Sequence, residues 1–213
     1  MTHLVITRHG YSEYNKTRMY TGQVDVALTE LGLRQAEKTA EYVAENYKID
    51  AIYSSDLRRA MSTAIPLSER LGISVIKEPL IKEIYGGLWE NKLMPEIDEK
   101  YHDDYQVYKT TIGLARCTGG ESMAELQARA LEGMRNIAEA NDGKTVFVAT
   151  HGGVLFGQGC AQRGNGTVKA ILVQGDGVHI AFHEDEIAQL ALFRQVQAKE
   201  VFPLIENKGL RGV

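Results

Sequence analysis

Cysteine is scarce in this chain of 213 residues. Cys117 and Cys160 stand far apart, without CxxC spacing or a companion histidine cluster, which excludes a disulfide framework and a thiolate zinc site. Both read as reduced thiols. Runs of one charge sign are missing as well. The 24 Lys and Arg against 28 Asp and Glu leave a formal charge of −4, and no basic run exceeds two residues. A nucleic-acid or polyanion surface is therefore not indicated, and any basic site is local. The amino-terminal apolar stretch is only Leu4-Val5-Ile6, with no basic segment before it, too short for a signal peptide or a membrane span. The expectation is a cytoplasmic protein with no membrane partner. No repeat, linker or low-complexity tract divides the chain, and its length suits one domain over residues 1–213.

What is present alternates. His3 to Thr7 is rich in β-branched residues and stops at Arg8-His9-Gly10, which predicts a buried strand ending in a turn. Thr29 and Glu30 open a helix whose stripe is Ala36, Ala40, Val43 and Tyr47. A second strand is expected over Ile49 to Tyr53, then Ser54-Ser55-Asp56 as N-cap residues for a helix from Leu57 to Leu71. Pro66 is expected to bend or split that helix, and Gly72 to stop it. Ser74 to Lys77 reads as a weak strand, and Met94 to Tyr108 as short helices in a cap insertion spanning 84–118. Ser122 and Glu125 form a capping box before the stripe Met123, Leu126, Ala130, Met134 and Ile137. Thr145 to Thr150 is the strongest strand pattern and ends at His151-Gly152-Gly153. From Ala170, two strands flank a Gly-Asp-Gly turn, another is expected near Ala191 to Gln195, and the tail beyond Pro203 reads as peripheral. The pattern predicts an α/β fold of three α/β/α layers, with a mostly parallel central sheet and a small helical cap.

In such sheets ligands bind at the carboxyl ends of the strands. Arg8-His9, Ser54 to Arg59, Glu83 and His151 all follow predicted strands. Two histidines, two arginines and a carboxylate at one edge describe a site for a phosphoryl dianion with a nucleophile. Arginine forks pair with phosphoryl oxygens, and a neutral His9 imidazole can attack phosphorus. Arg8, Arg59, His151 and the Asn15 amide suit the equatorial oxygens, and Glu83 suits the leaving oxygen.

The stretches "RHGYSEYN", "TGQVDVALTELG", "SDLRRAMSTA", "KEIYGGLWE", "GGES" and "ATHGG" together resemble the histidine phosphatase, or phosphoglycerate mutase-like, superfamily. The resemblance implies His9 as phosphoryl acceptor, Arg8, Arg59 and His151 as phosphoryl ligands, and Glu83 as proton donor. Arg59 is the arginine directly before Ala60, with Arg58 its neighbour. It places Ser12, Asn15, Thr21 and Gly22 in the loops lining the phosphate pocket, with Gly152 beside them. It implies a metal-independent phosphomonoester hydrolase of the histidine acid phosphatase type, without cofactor, acting on a small phosphorylated metabolite. Two positions depart from the pattern: Tyr11 replaces a frequent acidic or amide residue, and Asn91 stands where "GxWEG" has its second glycine.

Three other functions compete. A mutase would return the phosphoryl group to a second substrate hydroxyl; relatives of that kind resemble one another in a longer cap with paired arginines and in an asparagine where this chain has Gly153. A metal-dependent hydrolase would need His9 and His151 as ligands, which two nearby guanidinium groups and the lack of ligand spacing disfavour. A non-catalytic phospho-ligand module would lack the nucleophile or an arginine. Homo-oligomerisation stays open. Tyr11, Tyr14, Tyr20, Tyr85, Trp89, Tyr101, Tyr105 and Tyr108 either line the mouth of the site or pack the cap's own core.

Overall fold

A computed structural model describes residues 2–111, 115–159, 168–174 and 177–182. The chain runs β1 (His3–Arg8), α1 (Glu13–Thr17), α2 (Glu30–Asn46), β2 (Ala51–Ser54), α3 (Arg58–Leu71), β3 (Val75–Lys77), α4 (Met94–Lys100), α5 (His102–Thr110), α6 (Met123–Glu139), β4 (Thr145–Thr150), α7 (Gly152–Gly159), β5 (Val168–Gln174) and β6 (Gly177–Phe182). The six strands form one sheet in the order β3-β2-β4-β1-β5-β6. All neighbours pair parallel except β5 with β6, so the sheet is mostly parallel as expected.

The central strands are apolar on both faces, which is why they read as continuous β-branched runs. Leu4, Ile6, Val146 and Val148 join a core with Leu126, Ala130, Met134 and Ile137 of α6. Val5, Phe147 and Ala149 point the other way and meet Ala40 and Val43 of α2 and Ala64 and Leu67 of α3. Helices thus cover both faces, giving the three layers. The segment between Ile84 and Cys117 adds Trp89 and Ile97 to the first core. Tyr20, Tyr105 and Tyr108 meet the Trp89 ring edge-on, with centroids 5.5, 5.8 and 5.4 Å away. These rings pack against the first core around Trp89, while Tyr11 and Tyr85 are exposed. Cys117 is buried beside the Tyr20 hydroxyl, and burial pushes its thiol up to about 11. Among the described residues no helix is long and apolar enough to cross a membrane.

Several expectations shift. Ser54-Ser55-Asp56 do not cap α3: its N-cap is Leu57, which offers no side-chain bond, and the Asp25 carboxylate accepts from Arg58 N at 2.7 Å instead. Pro66 does not split α3, because Arg59, Ala60, Thr63, Ala64 and Leu67 bury one face on both sides of it and hold the helix against the sheet. The cost of one missing ladder bond, roughly 3 kcal/mol, is smaller than the burial of that face. The short α1 has no counterpart in the expected pattern. Cys160, the strand near Ala191 to Gln195 and the tail beyond Pro203 lie outside the described residues.

Candidate active site

The register of the sheet builds the site. Arg8 stands opposite Thr150, and Ser54 opposite Ala149. Hydrogen bonding continues one residue further, from His9 N to Thr150 O at 2.9 Å and from Ser55 N to Ala149 O at 3.0 Å. His9, His151 and Ser55 therefore emerge side by side at the carboxyl edge of β1, β4 and β2. The two imidazole centroids are 5.2 Å apart.

His9 is buried, and its Nδ1 lies 2.7 Å from Gly10 O. A carbonyl only accepts, so Nδ1 carries the proton and Nε2 keeps its lone pair. Burial, then the charges of Arg8 and Arg59, hold this histidine well below its ordinary range, so the ring is neutral near pH 7. Gly10 leaves no room for a β-carbon, which would fall on Gly32 O at the start of α2. Tyr11 is tied to the same helix: its N–H donates to Gln35 Oε1 at 2.8 Å, and its carbonyl accepts from Thr29 Oγ1 at 2.9 Å. The "TELG" stretch thus serves as the seat of the loop carrying His9.

Arg59 is 1% exposed, whereas Arg58 points outward. Its Nη1 and Nη2 donate to Val24 O and Gly22 O, each at 2.8 Å, and Nε is buried without a partner among the described residues. Burial lowers its ordinarily high pKa, and the negative charges of Glu83, Asp25 and Glu90 oppose that. Gly22 lies in the left-handed region at φ +51, pressed on the Glu90 carboxylate. Glu90 Oε1 also accepts from Gln23 N and Gly86 N.

Glu83 Oε1 accepts from Gly153 N and Ile84 N, both at 3.0 Å. The first turn of α7 therefore holds the carboxylate in place just past His151. Arg129 of α6, which no motif in the sequence marks, fixes the backbone beneath it. Its guanidinium donates to the carbonyls of Leu80, Lys82 and Glu83 at 2.8 Å, and to both oxygens of Glu121 at 2.6 and 2.7 Å. Its separation of eight residues from Glu121 is the one trace in the sequence. Glu121 of "GGES" is thus an arginine partner, and Ser122 caps α6.

The remaining expected positions are distributed unevenly. Ser12 and Asn15 form the capping box of α1, with Ser12 N and Oγ within 3.0 and 2.9 Å of Asn15 Oδ1. Thr21 O accepts from Val24 N in the turn containing Gly22, and Gly152 opens α7 beside His151. Among the described residues no group of three or more His, Cys, Asp or Glu side chains is arranged to hold a metal ion.

A family profile described as "Histidine phosphatase superfamily (branch 1)" matches residues 4–160. Phosphoserine phosphatase 1 of Hydrogenobacter thermophilus is 33% identical over 164 residues, covering 77% of each chain. A probable phosphoglycerate mutase, GpmB, of Yersinia pestis is 35% identical over 159 residues, 73% of this chain and 72% of that one. The solved structure of YhfR from Bacillus stearothermophilus superposes with a TM-score of 0.74 at 29% identity, covering 88% of this chain and all of that one, 100%.

Proposed function

The chain belongs to the histidine phosphatase superfamily, and from that membership we propose that it hydrolyses a small phosphorylated metabolite through a phosphohistidine on His9. The observation that carries this reading is the His9 imidazole itself, neutral, with its proton on Nδ1 toward Gly10 O and its Nε2 lone pair beside two arginines. In the first step Nε2 bonds to phosphorus and the ester P–O bond breaks. Its electron pair leaves on the alcohol oxygen, which takes a proton from Glu83. In the second step water attacks phosphorus, gives a proton to Glu83, and the N–P bond breaks to release phosphate. Arg8, Arg59 and His151 hold the phosphoryl oxygens, where preorganised charge does most for a loose transition state. Ser12, Asn15, Thr21, Gly22 and Gly152 shape the walls around them, under a cap formed by residues 84–118. No step calls on a metal or cofactor.

The expected outcome for His9→Ala is a fall in kcat of at least about 10⁴-fold with the fold intact. In the unsubstituted protein, rapid quench with labelled substrate should trap an acid-labile label on residue 9; label elsewhere, or none, would overturn the mechanism. The similarity to a probable phosphoglycerate mutase favours a second reading, transfer back to substrate. Incubation with phosphoglycerate isomers and 2,3-bisphosphoglycerate separates the two: hydrolysis releases inorganic phosphate, whereas a mutase interconverts the isomers with almost none.

A further inference from the structure

We propose that Ser55 is a positioning residue that sets the tautomer of His151: its hydroxyl donates to Nε2, leaving the ring proton on Nδ1 to meet an oxygen of the bound phosphoryl group. The proposal rests on the phosphatase reading for the identity of that anion, and on the contacts of Ser55 and His151 for everything else.

His151 is fully buried, its Nε2 lies 2.8 Å from Ser55 Oγ, and its Nδ1 has no partner among the described residues. Burial first, then Arg59, His9 and Arg8, hold it well below its ordinary range, so the ring carries one proton, on one nitrogen or the other. Hydrogen bonding and charge both choose the nitrogen. Ser55 Oγ already accepts from Leu57 N at 3.3 Å, and Ser55 has no exposure through which its own hydroxyl proton could reach water. Nε2 is the acceptor in reach, and a proton there would strand the hydroxyl proton inside the protein, at a desolvation cost of about 1–3 kcal/mol. Charge favours the same nitrogen. With the proton on Nε2, Nδ1 would hold a bare lone pair beside Arg8 and Arg59, in the place where a phosphoryl dianion is received, and lone pair would face oxygen. With the proton on Nδ1, His151 joins Arg8 and Arg59 as a donor to the phosphoryl oxygens, and His9 Nε2 keeps its lone pair for phosphorus.

The backbone makes the contact rigid. Ser55 N donates to Ala149 O, Ser54 Oγ donates to Ser55 O at 2.8 Å, and both serines are completely buried. The hydroxyl is thereby held against β4 two residues before His151, where the chain turns into α7. A role in capping α3, the obvious reading of Ser54-Ser55-Asp56, accounts for none of this burial.

The test reads the imidazole nitrogens directly. In the full chain with ¹⁵N-labelled histidine at neutral pH, a long-range ¹H–¹⁵N spectrum should show His151 with Nδ1 protonated and Nε2 bare; His151→Gln assigns its resonances. Ser55→Ala should shift the population toward Nε2–H and weaken binding of inorganic phosphate about tenfold, while Ser55→Thr, which retains the hydroxyl, restores both. A protonated Nε2 in the unsubstituted protein overturns the proposal whether or not the variants fold, and so does an unchanged tautomer in folded Ser55→Ala. Loss of the trapped label on His9 would overturn the phosphatase reading without moving these resonances, so the two fail separately.

Discussion

A β-carbon on residue 153 would fall on Glu83 Oε1 and come within 3.0 Å of Leu126 Cδ2. Both are ends of flexible side chains, so Gly153→Ala should displace the carboxylate rather than unfold the protein. General acid catalysis contributes about 10²–10⁴-fold, and it matters most where the leaving oxygen is basic. The expected outcome is a loss of about 10²-fold in kcat for alkyl phosphomonoesters and a far smaller one for p-nitrophenyl phosphate, read by steady-state kinetics. Equal losses on both would remove Glu83 from proton transfer. Asn91 shows how a departure from a family pattern can keep its geometry. Its φ of 62° lies in the left-handed region that glycine favours and asparagine tolerates. Its Oδ1 also accepts from Tyr14 OH at 2.6 Å, a tie from the segment before α4 to α1 that glycine lacks. The positive φ was implicit in the glycine of the pattern; the tie to Tyr14 was not, since it joins residues 77 positions apart.

Between elements, α3 clasps the loop at 22–25 with three donors. Arg59 donates to two loop carbonyls, and Arg58 N donates to Asp25 Oδ1, which stands in for the side-chain cap that Leu57 cannot supply. Asp25→Ala should cost about 1 kcal/mol, as loss of a cap does, measured by the urea midpoint. Asp25→Asn should retain most of that stability, and a full cost in Asn as well would mean that charge rather than capping matters. The helices with their own caps, Thr29 for α2 and Ser122 for α6, are legible in the sequence because those signals lie within four residues of the helix they serve. The cap of α3 is not, because the acceptor there arrives from 33 residues away. Nor is α1, for a different reason: five residues are too few to show a period.

Across the fold as a unit, two neutral histidines sit at the edge of the sheet, and folding keeps both from taking a proton. In the unfolded chain each binds one near pH 6.5, so the unfolded state holds more protons below that pH. Their effect on stability is therefore absent above about pH 6.5 and grows unfavourable as pH falls, by up to about 1.4 kcal/mol per pH unit for each histidine. Urea midpoints between pH 7 and pH 5 should fall more steeply in the unsubstituted protein than in the double variant His9→Gln, His151→Gln; parallel curves would mean that these rings take protons freely in the fold. Sequence alone determined the alternation of strands and helices, the two-faced burial of β1 and β4, and the set of chemical groups after each strand, because periodicity, local capping and covalent adjacency act over a few residues. Tertiary structure alone decided which of those groups touch. Glu83 reaches Gly153 across 70 positions and Ser55 reaches His151 across 96, and both contacts follow from the placing of β4 between β2 and β1 in one register. That order is settled by long-range pairing of strands whose local patterns are alike, so no local pattern announces it.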